Sequence, residues 1–324
     1  MKSLLRTGCT VAALYGCGFA FAGGEGWSSD FAGSKKLAEE SKKDLLMDFT
    51  GSDWCGWCIK LNDEVFKHEP FKAGVKDSFV LVEVDSPKDK SKLSAEVQKQ
   101  NPELVEKYAI QGYPTILLCD AGGRPYAATG YEAGGPEKYV EHLNVLRSQK
   151  GKRDEGLATA AKADGVEKAK ALVSVLDAMK LDDKLVANFY GDLGEQIKAA
   201  DPKDETGFAK KAAAKKRVED FQTALQEFGQ KQDFDGALVL VEKTIKEGGF
   251  ETEDTLQIMM TRASILVQQR KYDEALKAID EAKAVAPESP MIEGIDKFRE
   301  RVEAMKNKPA GAAAKEDDAE EEEK

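Results

Sequence analysis

Two cysteines separated by two residues, Cys55 and Cys58, follow a short apolar run at residues 45–49. Apolar residues with helical spacing come directly after them, so the pair is predicted to open a helix. Cysteines in this arrangement can close a disulfide within one helical turn. Because unpaired N–H groups at a helix N-terminus stabilise a thiolate, Cys55 is predicted to be the nucleophile. Cys58, one turn deeper, would then resolve the mixed disulfide.

A C-x-x-C pair is also half of a common zinc site, and this alternative requires further ligands. The chain contains five cysteines but no second C-x-x-C pair, and its two histidines are His68 and His142. Cys119 lies in an apolar stretch and is predicted to be a buried apolar residue. We therefore expect no bound metal, and we expect the Cys55–Cys58 dithiol to work without an organic cofactor.

The first 22 residues have the pattern of a secretory signal peptide. Lys2 and Arg6 form a basic start, residues 8–20 are uncharged and mostly apolar, and Ala20-Phe21-Ala22 fits a small-x-small cleavage site. The pattern predicts a mature chain that begins near Gly23 in the bacterial periplasm or an equivalent oxidising space. Cys9 and Cys17 would leave with this segment.

A lipid anchor is the alternative interpretation of the same segment. Leu14-Tyr15-Gly16-Cys17 resembles a bacterial lipobox, in which Cys17 would be lipidated and retained, although Tyr15 fits that pattern poorly. The apolar stretch is too short to span a bilayer. No membrane span is therefore expected here.

Between residues 30 and 150 the apolar pattern predicts alternating helices and strands. The predicted order is helix, strand, helix, strand, helix, strand, strand and helix, with Gly122-Gly123 as the hairpin turn. This order is typical of an α/β fold with a mixed central sheet and helices on both faces. The predicted strands cover residues 45–49, 79–84, 113–119 and 125–129.

Residues 151–307 lack a strand pattern, and their apolar residues recur at helical spacing. Residues 272–276, with the sequence Tyr-Asp-Glu-Ala-Leu, resemble the second helix of a tetratricopeptide repeat. Residues 234–238 resemble the same position one repeat earlier, at a spacing slightly longer than the usual repeat of about 34 residues. Generic helical hairpins are the alternative. A repeat module of this kind is predicted to bind a protein or peptide.

The chain has a net charge of −11 and a pI near 5.0. A protein that binds nucleic acid neutralises phosphates with basic side chains, so this charge argues against that class of partner. Residues 308–324 end in an acidic run that cannot be buried. We predict a disordered, solubilising tail there.

The residues around the dithiol resemble the thioredoxin family, and more closely the exported thioredoxin-like proteins of bacterial envelopes. The resemblance is carried by residues 48–60 and by the downstream sequence 112–115, and it covers about residues 30–150. It implies that Trp54 shields the site. It also implies that Pro114 has a cis peptide bond and lies against the dithiol, and that the Tyr113 backbone pairs with an incoming substrate strand.

Asp48 matches the position of the family's buried acid beneath the resolving cysteine. A buried carboxyl has a raised pKa, which suits Asp48 to accept a proton from Cys58. However, the turn between Asp48 and Cys55 is one residue longer than in thioredoxin, which could move the carboxyl away. Gly56-Trp57 also replaces the Gly-Pro of thioredoxin, so the redox potential of thioredoxin cannot be transferred.

These patterns together predict an exported thiol–disulfide oxidoreductase that acts on protein thiols and disulfides and exchanges electrons with a recharging partner. Its helical module would recruit the substrate or that partner. A non-catalytic scaffold and a chaperone are the alternatives, and the direction of electron flow stays open. The predicted substrate-contacting residues are Trp54, Gly56, Trp57, Tyr113 and Pro114. The predicted parts are a signal peptide (1–22), a thioredoxin-like domain (23–150), a helical domain (151–307) and the tail (308–324).

Overall fold

The computed structural model of the protein describes residues 26–307. Predictions for the signal peptide, for Cys9 and Cys17, and for the acidic tail at 308–324 therefore lie outside the described residues. None of the helices within 26–307 is long and apolar enough to cross a membrane.

A five-stranded sheet forms the centre of the first compact unit, whose described part extends from Gly26 to Thr206. The strand order is β1-β3-β2-β4-β5. The strands β1, β3 and β2 run parallel, whereas β4 runs antiparallel to both β2 and β5. The mixed sheet of the predicted α/β fold is thereby confirmed, with the short β1 as an addition. The strands are β1 (Trp27–Ser28), β2 (Asp44–Thr50), β3 (Phe79–Asp85), β4 (Thr115–Cys119) and β5 (Pro125–Thr129).

Both faces of the sheet are covered, because every residue of β2 is buried. Leu46 points to one face and packs with Leu61 and Phe66, whereas Met47 and Phe49 point to the opposite face. Each fully buried Leu, Met or Phe side chain contributes about 1.5–3 kcal/mol to the free energy of unfolding. The face that carries Leu46 also carries Asp48, since side chains alternate along a strand.

Helices cover both faces of this sheet, as predicted. A π-helical turn (Asn62–Phe66) continues α2 directly, and a short 3-10 turn (Lys90–Lys92) precedes α4. The helices of the first unit are α1 (Phe31–Ser41), α2 (Gly56–Leu61), α3 (Glu69–Val75), α4 (Ala95–Lys107), α5 (Gly135–Ala160), α6 (Gly165–Met179) and α7 (Asp183–Ala200).

The first unit extends beyond the domain boundary predicted at 150/151, which falls inside α5. Helix α6 lies so close to α5 that a Cβ atom on Gly156 would come within 2.4 Å of the Val175 side chain. In α7, Leu185 belongs to one of the two cores of the sheet, and the Phe189 ring lies 4.8 Å from the Tyr108 ring. The loss of strand pattern after 150 thus marks the end of the sheet, while the core continues to Thr206.

The second compact unit begins at Gly207, and its described part, which ends at Asn307, is helical. Its apolar residues form helix-to-helix cores, including one around Phe221 and Val241 and another around Ala275 and Ile279. The helical class predicted for this region is confirmed, and the tetratricopeptide-like character stays a prediction. The helices are α8 (Phe208–Lys231), α9 (Phe234–Glu247), α10 (Thr252–Gln268), α11 (Tyr272–Val285) and α12 (Ile292–Asn307).

Candidate active site

The dithiol lies where the chain leaves β2 and enters α2. Cys55 is the N-cap residue of α2, and its Sγ accepts a hydrogen bond from the Cys58 backbone N–H at 3.2 Å. The two sulfurs are joined in a disulfide, with their Cα atoms 5.2 Å apart. In the reduced protein the same N–H would face the Cys55 thiolate, because N-terminal helix donors stabilise a negative charge.

The Tyr113–Pro114 peptide bond lies beside the dithiol end of the sheet. This bond is cis, as the resemblance to the thioredoxin family implies. Because β4 runs antiparallel to β2 with Phe49 opposite Thr115, the start of β4 meets the end of β2 at this edge. The Tyr113 and Trp54 rings also touch edge to face, with centroids 5.6 Å apart. The fold therefore brings Tyr113 and Pro114 to the sheet edge from which the dithiol loop leaves.

The longer turn before Cys55 is held by the end of β3. The Asp85 carboxylate accepts hydrogen bonds from Ser52 N at 2.9 Å and Ser52 Oγ at 2.6 Å. Trp54 Nε1 donates to the Ser86 carbonyl oxygen at 2.8 Å. Gly51 is required here, because a Cβ atom would come within 2.5 Å of the Trp54 indole.

Asp53 ties the same turn to the loop after β3. Its carboxylate accepts hydrogen bonds from the backbone N–H groups of Lys88 and Asp89 and lies 3.6 Å from Lys92 Nζ. These donors hold the pKa of Asp53 below its usual value. The sequence does not show the anchoring roles of Ser52, Asp53 and Asp85, because each depends on how closely the turn before Cys55 approaches the end of β3 and the loop after it.

An exposed aromatic surface surrounds the dithiol. Trp57 is 58% exposed and Trp54 is 42% exposed, although both cysteines are nearly buried. The Trp57 ring lies 5.2 Å from the Tyr131 ring, and Lys60 Nζ lies about 5 Å from both ring centroids. Tyr131 and Lys60 were missed because no motif marks them. The dithiol therefore lies beside partly exposed aromatic rings.

Asp48 lies beneath the dithiol, buried on the sheet face that α2 covers. Together with Cys58 and Glu83 it lines a cavity of about 190 Å³. Its Oδ1 atom is buried without a hydrogen-bond partner. Burial, together with the charges of Glu83 and Asp85, raises the pKa of Asp48 well above its usual value.

Cys119 lies on the opposite sheet face from Asp48. It is fully buried, with its Sγ 3.7 Å from Met47 Sδ, and burial raises the pKa of its thiol. A protonated, inaccessible thiol is a poor nucleophile. The structure therefore agrees with the prediction that Cys119 is an apolar filler.

Asp48→Asn is expected to stabilise the oxidised protein at pH 8, by about 1–3 kcal/mol, because a buried carboxylate without a partner is costly. The folded pKa of Asp48 is raised, so the folded state holds its proton more tightly than the unfolded state. Wild-type stability should therefore fall as the pH rises above about 4, and the advantage of the variant should grow. Urea unfolding from pH 5 to pH 8 measures this difference.

Asp53→Asn is the control for this prediction, because the folded pKa of Asp53 is lowered instead. Its carboxylate contributes stability that is present above the unfolded pKa and lost as the pH falls through the folded pKa. Asp53→Asn should thus destabilise the protein at pH 8, opposite in sign to Asp48→Asn. Parallel stability curves for wild type and Asp48→Asn would contradict the buried-acid interpretation.

Three features of this structure together define the thioredoxin-like class. They are the mixed five-stranded sheet, the C-x-x-C pair at the start of a helix, and the cis-proline at the adjacent strand. Residues 31–144 match the family described as the thioredoxin-like domain. The chain belongs to this family.

Two relatives are similar to part of this chain. The disulfide bond reductase DsbH of Chlamydia pneumoniae is 36% identical over 117 residues, which cover 36% of this chain and 69% of the relative. The thiol:disulfide interchange protein DsbD of Vibrio vulnificus (strain CMCP6) is 32% identical over 113 residues, 34% of this chain and 17% of the relative. A solved DsbH oxidoreductase structure is 34% identical and covers 37% of this chain and 81% of its own, with a TM-score of 0.35.

Proposed function

We propose that the protein is an exported thiol–disulfide oxidoreductase that reduces disulfides in other proteins. The observation that carries this proposal is the Cys55–Cys58 disulfide at the start of α2, where the Cys55 sulfur accepts the Cys58 N–H. The similarity to a relative named as a disulfide bond reductase supports the reducing direction. The signal-peptide pattern at 1–22 supports export to the periplasm.

The proposed reaction begins with the reduced protein. The Cys55 thiolate attacks one sulfur of a substrate disulfide, whose S–S bond breaks, and one substrate thiolate leaves and takes a proton from water. Cys58 then gives its proton to the Asp48 carboxylate and attacks Cys55 Sγ. The Cys55–Cys58 bond forms as the bond to the substrate breaks, and the second substrate sulfur leaves as a thiolate.

The substrate has gained two electrons after this sequence, and the protein is left in the oxidised state of the structure. A dithiol partner must therefore return two electrons to Cys55 and Cys58 before another cycle. The proposed cycle needs no organic cofactor and no metal, so a chelator such as EDTA should leave the activity unchanged.

The substrate would contact the exposed surface formed by Trp54, Trp57 and Ile59. The Tyr113 backbone, at the cis-proline, is the proposed partner for an extended substrate segment, as the family resemblance implies. Main-chain pairing accepts many sequences, which suits a reductase of varied proteins. We further propose that the helices from α8 to α12 recruit the substrate or the recharging partner, since stacked helices offer surfaces for peptides.

The redox potential tests the proposed direction. A reductase should have a potential near about −270 mV, the value typical of thioredoxin, measured against glutathione and dithiothreitol with tryptophan fluorescence as the signal. A potential between about −180 and −120 mV would instead assign the protein to the oxidases or isomerases. Cys119→Ala, which leaves the dithiol intact, is the control and should give the wild-type potential.

A further inference from the structure

Three acidic side chains lie next to one another on the sheet face beneath the dithiol. In the parallel pairing of β2 and β3, Asp48 lies beside Glu83 and Thr50 lies beside Asp85. Paired residues of neighbouring strands point to the same face, and so do residues two apart on one strand. Asp48, Glu83 and Asp85 therefore share the face that carries Leu46, which α2 covers.

Of these acids, Asp48 and Glu83 have a common environment that includes Cys58. The three residues line the same cavity, whereas both carboxylate oxygens of Asp85 are engaged by Ser52. Glu83 is half-buried, and Asp48 has an oxygen without a partner. The cavity-lining residues are Trp27, Asp48, Thr50, Ser52, Cys58, Ile59, Asn62, Phe66 and Glu83.

The described residues that line this cavity include no lysine or arginine. The elements packed on this face bring apolar groups: β1 brings Trp27, the π-helical turn brings Phe66 and α3 brings Phe71. The cations that α5 brings to this face, Arg147 and Lys150, lie at the opposite end of the strands, over the Phe79 ring and against Asp44. Helix α5 brings Tyr139, whose hydroxyl donates to the Gly130 carbonyl oxygen. The third acid, Asp85, adds a further negative charge on the same face.

Two neighbouring carboxyls in such a site cannot both ionise at low cost, since each negative charge disfavours the other. Burial and the charge of Asp85 raise the pKa of Glu83 to about 7, and the charge of Glu83 in turn contributes to the raised pKa of Asp48. Groups coupled in this way titrate as a pair, in two steps that belong to neither residue alone.

We propose that Asp48 and Glu83 form a carboxyl pair that shares one proton, and that Glu83 is a positioning residue which controls, through Asp48, when Cys58 can lose its proton. This inference rests on the proposed function, in which Cys58 resolves the mixed disulfide. In that step the pair has lost its shared proton, and the Cys58 proton passes to the Asp48 carboxylate beside the ionised Glu83. Cys58 Sγ then bonds to Cys55 Sγ, and the substrate thiolate leaves.

Single-turnover kinetics test the proposal, with the reduced protein mixed with an excess of a model disulfide peptide and followed by tryptophan fluorescence. The attack by Cys55 depends on peptide concentration, whereas the resolving step does not, so the two phases separate. Glu83→Gln removes one negative charge beside Asp48. We expect the pH midpoint of the resolving step to shift downward by about one pH unit, with the first phase unchanged.

The double variant shows whether Glu83 acts through Asp48. Asp48→Asn should slow the resolving step by about 100-fold. Adding Glu83→Gln to Asp48→Asn should cause no further change in this step, because the residue through which Glu83 acts is gone. Glu83→Asp retains a carboxyl and should keep a midpoint near that of wild type. Glu106→Gln, at an exposed position on α4, is the control and should leave the profile unchanged.

Two outcomes would overturn the inference: an unchanged midpoint in Glu83→Gln, or the same shift in the presence and absence of Asp48. If Glu83→Gln does not fold, Glu83→Asp takes its place. A Glu83→Asp profile that matches Asp48→Asn, which lacks the carboxyl pair, and not wild type would equally refute the inference. The failure of the proposed function has a different signature. In that case the concentration-dependent first phase would be missing, or it would persist after Cys55→Ser.

Discussion

Cys55→Ser is expected to reduce disulfide reductase activity by about 1,000-fold or more, since the proposed reaction has no other nucleophile at the site. Cys55 alone combines the N-cap position of α2 with a place at the exposed aromatic surface. Cys119, the third described cysteine, is fully buried and cannot replace it. The measurement is the turnover of a disulfide substrate by the mature protein with dithiothreitol as the electron source.

Cys58→Ser is the matched variant, because it keeps the nucleophile and removes the resolving thiol. It should accumulate a mixed disulfide between Cys55 and the substrate, visible by non-reducing electrophoresis and mass spectrometry. Cys119→Ala should retain wild-type turnover. Undiminished turnover in Cys55→Ser would remove the basis for the enzymatic function and favour a scaffold or chaperone. Suppression of aggregation that survives the loss of both cysteines would distinguish the chaperone.

A chain that ends at residue 150 is expected to lose most of its stability, whereas a chain that ends at Thr206 should fold. The shorter chain lacks Leu185 and Phe189, which pack against the sheet core and the Tyr108 ring. It also lacks Arg153, whose Nη1 bonds Asp120 at 3.0 Å. Loss of two or three large buried contacts costs about 5 kcal/mol or more, comparable to the whole stability of many domains.

Thermal unfolding of chains covering 23–150, 23–206 and 23–307 measures this effect by circular dichroism. The 23–206 chain should melt cooperatively and keep the redox potential of the longest chain, because the site lies wholly within the first compact unit. Equal melting temperatures for 23–150 and 23–206 would show that α6 and α7 are dispensable. A comparison of the 23–206 chain with the 23–307 chain then measures how much α8 to α12 contribute to recruitment.

Local patterns predicted the elements whose information lies in consecutive residues. The strand containing Asp48 and the helix opened by Cys55 could be read from short segments, whereas the cis bond before Pro114 was implied by the family resemblance. Glu83 could not be found in this way. It is one charged residue in an apolar strand, and only the strand register, which places it beside Asp48, shows that it belongs to the site. A register is fixed by contacts across the whole sheet, which no local window contains.

The domain boundary could not be predicted for a related reason. The change from strands to Ala-rich and Lys-rich helices near residue 150 is a change in secondary structure, and the core continues across it. Leu185 and Phe189 have ordinary helical spacing, so the sequence does not show which surface they cover. Their packing on the sheet core assigns α7 to the first unit.

The Trp54 indole fills the space beside Gly51, so the side chains allowed at these two positions depend on each other. Any side chain at residue 51 would collide with the indole, which is itself held by the Ser86 carbonyl oxygen. A substitution at either position alone therefore either displaces the ring beside the nucleophile or leaves a gap there. Libraries that aim to change the reactivity of Cys55 should vary residues 51 and 54 together, because the effects of substitutions at contacting positions do not add.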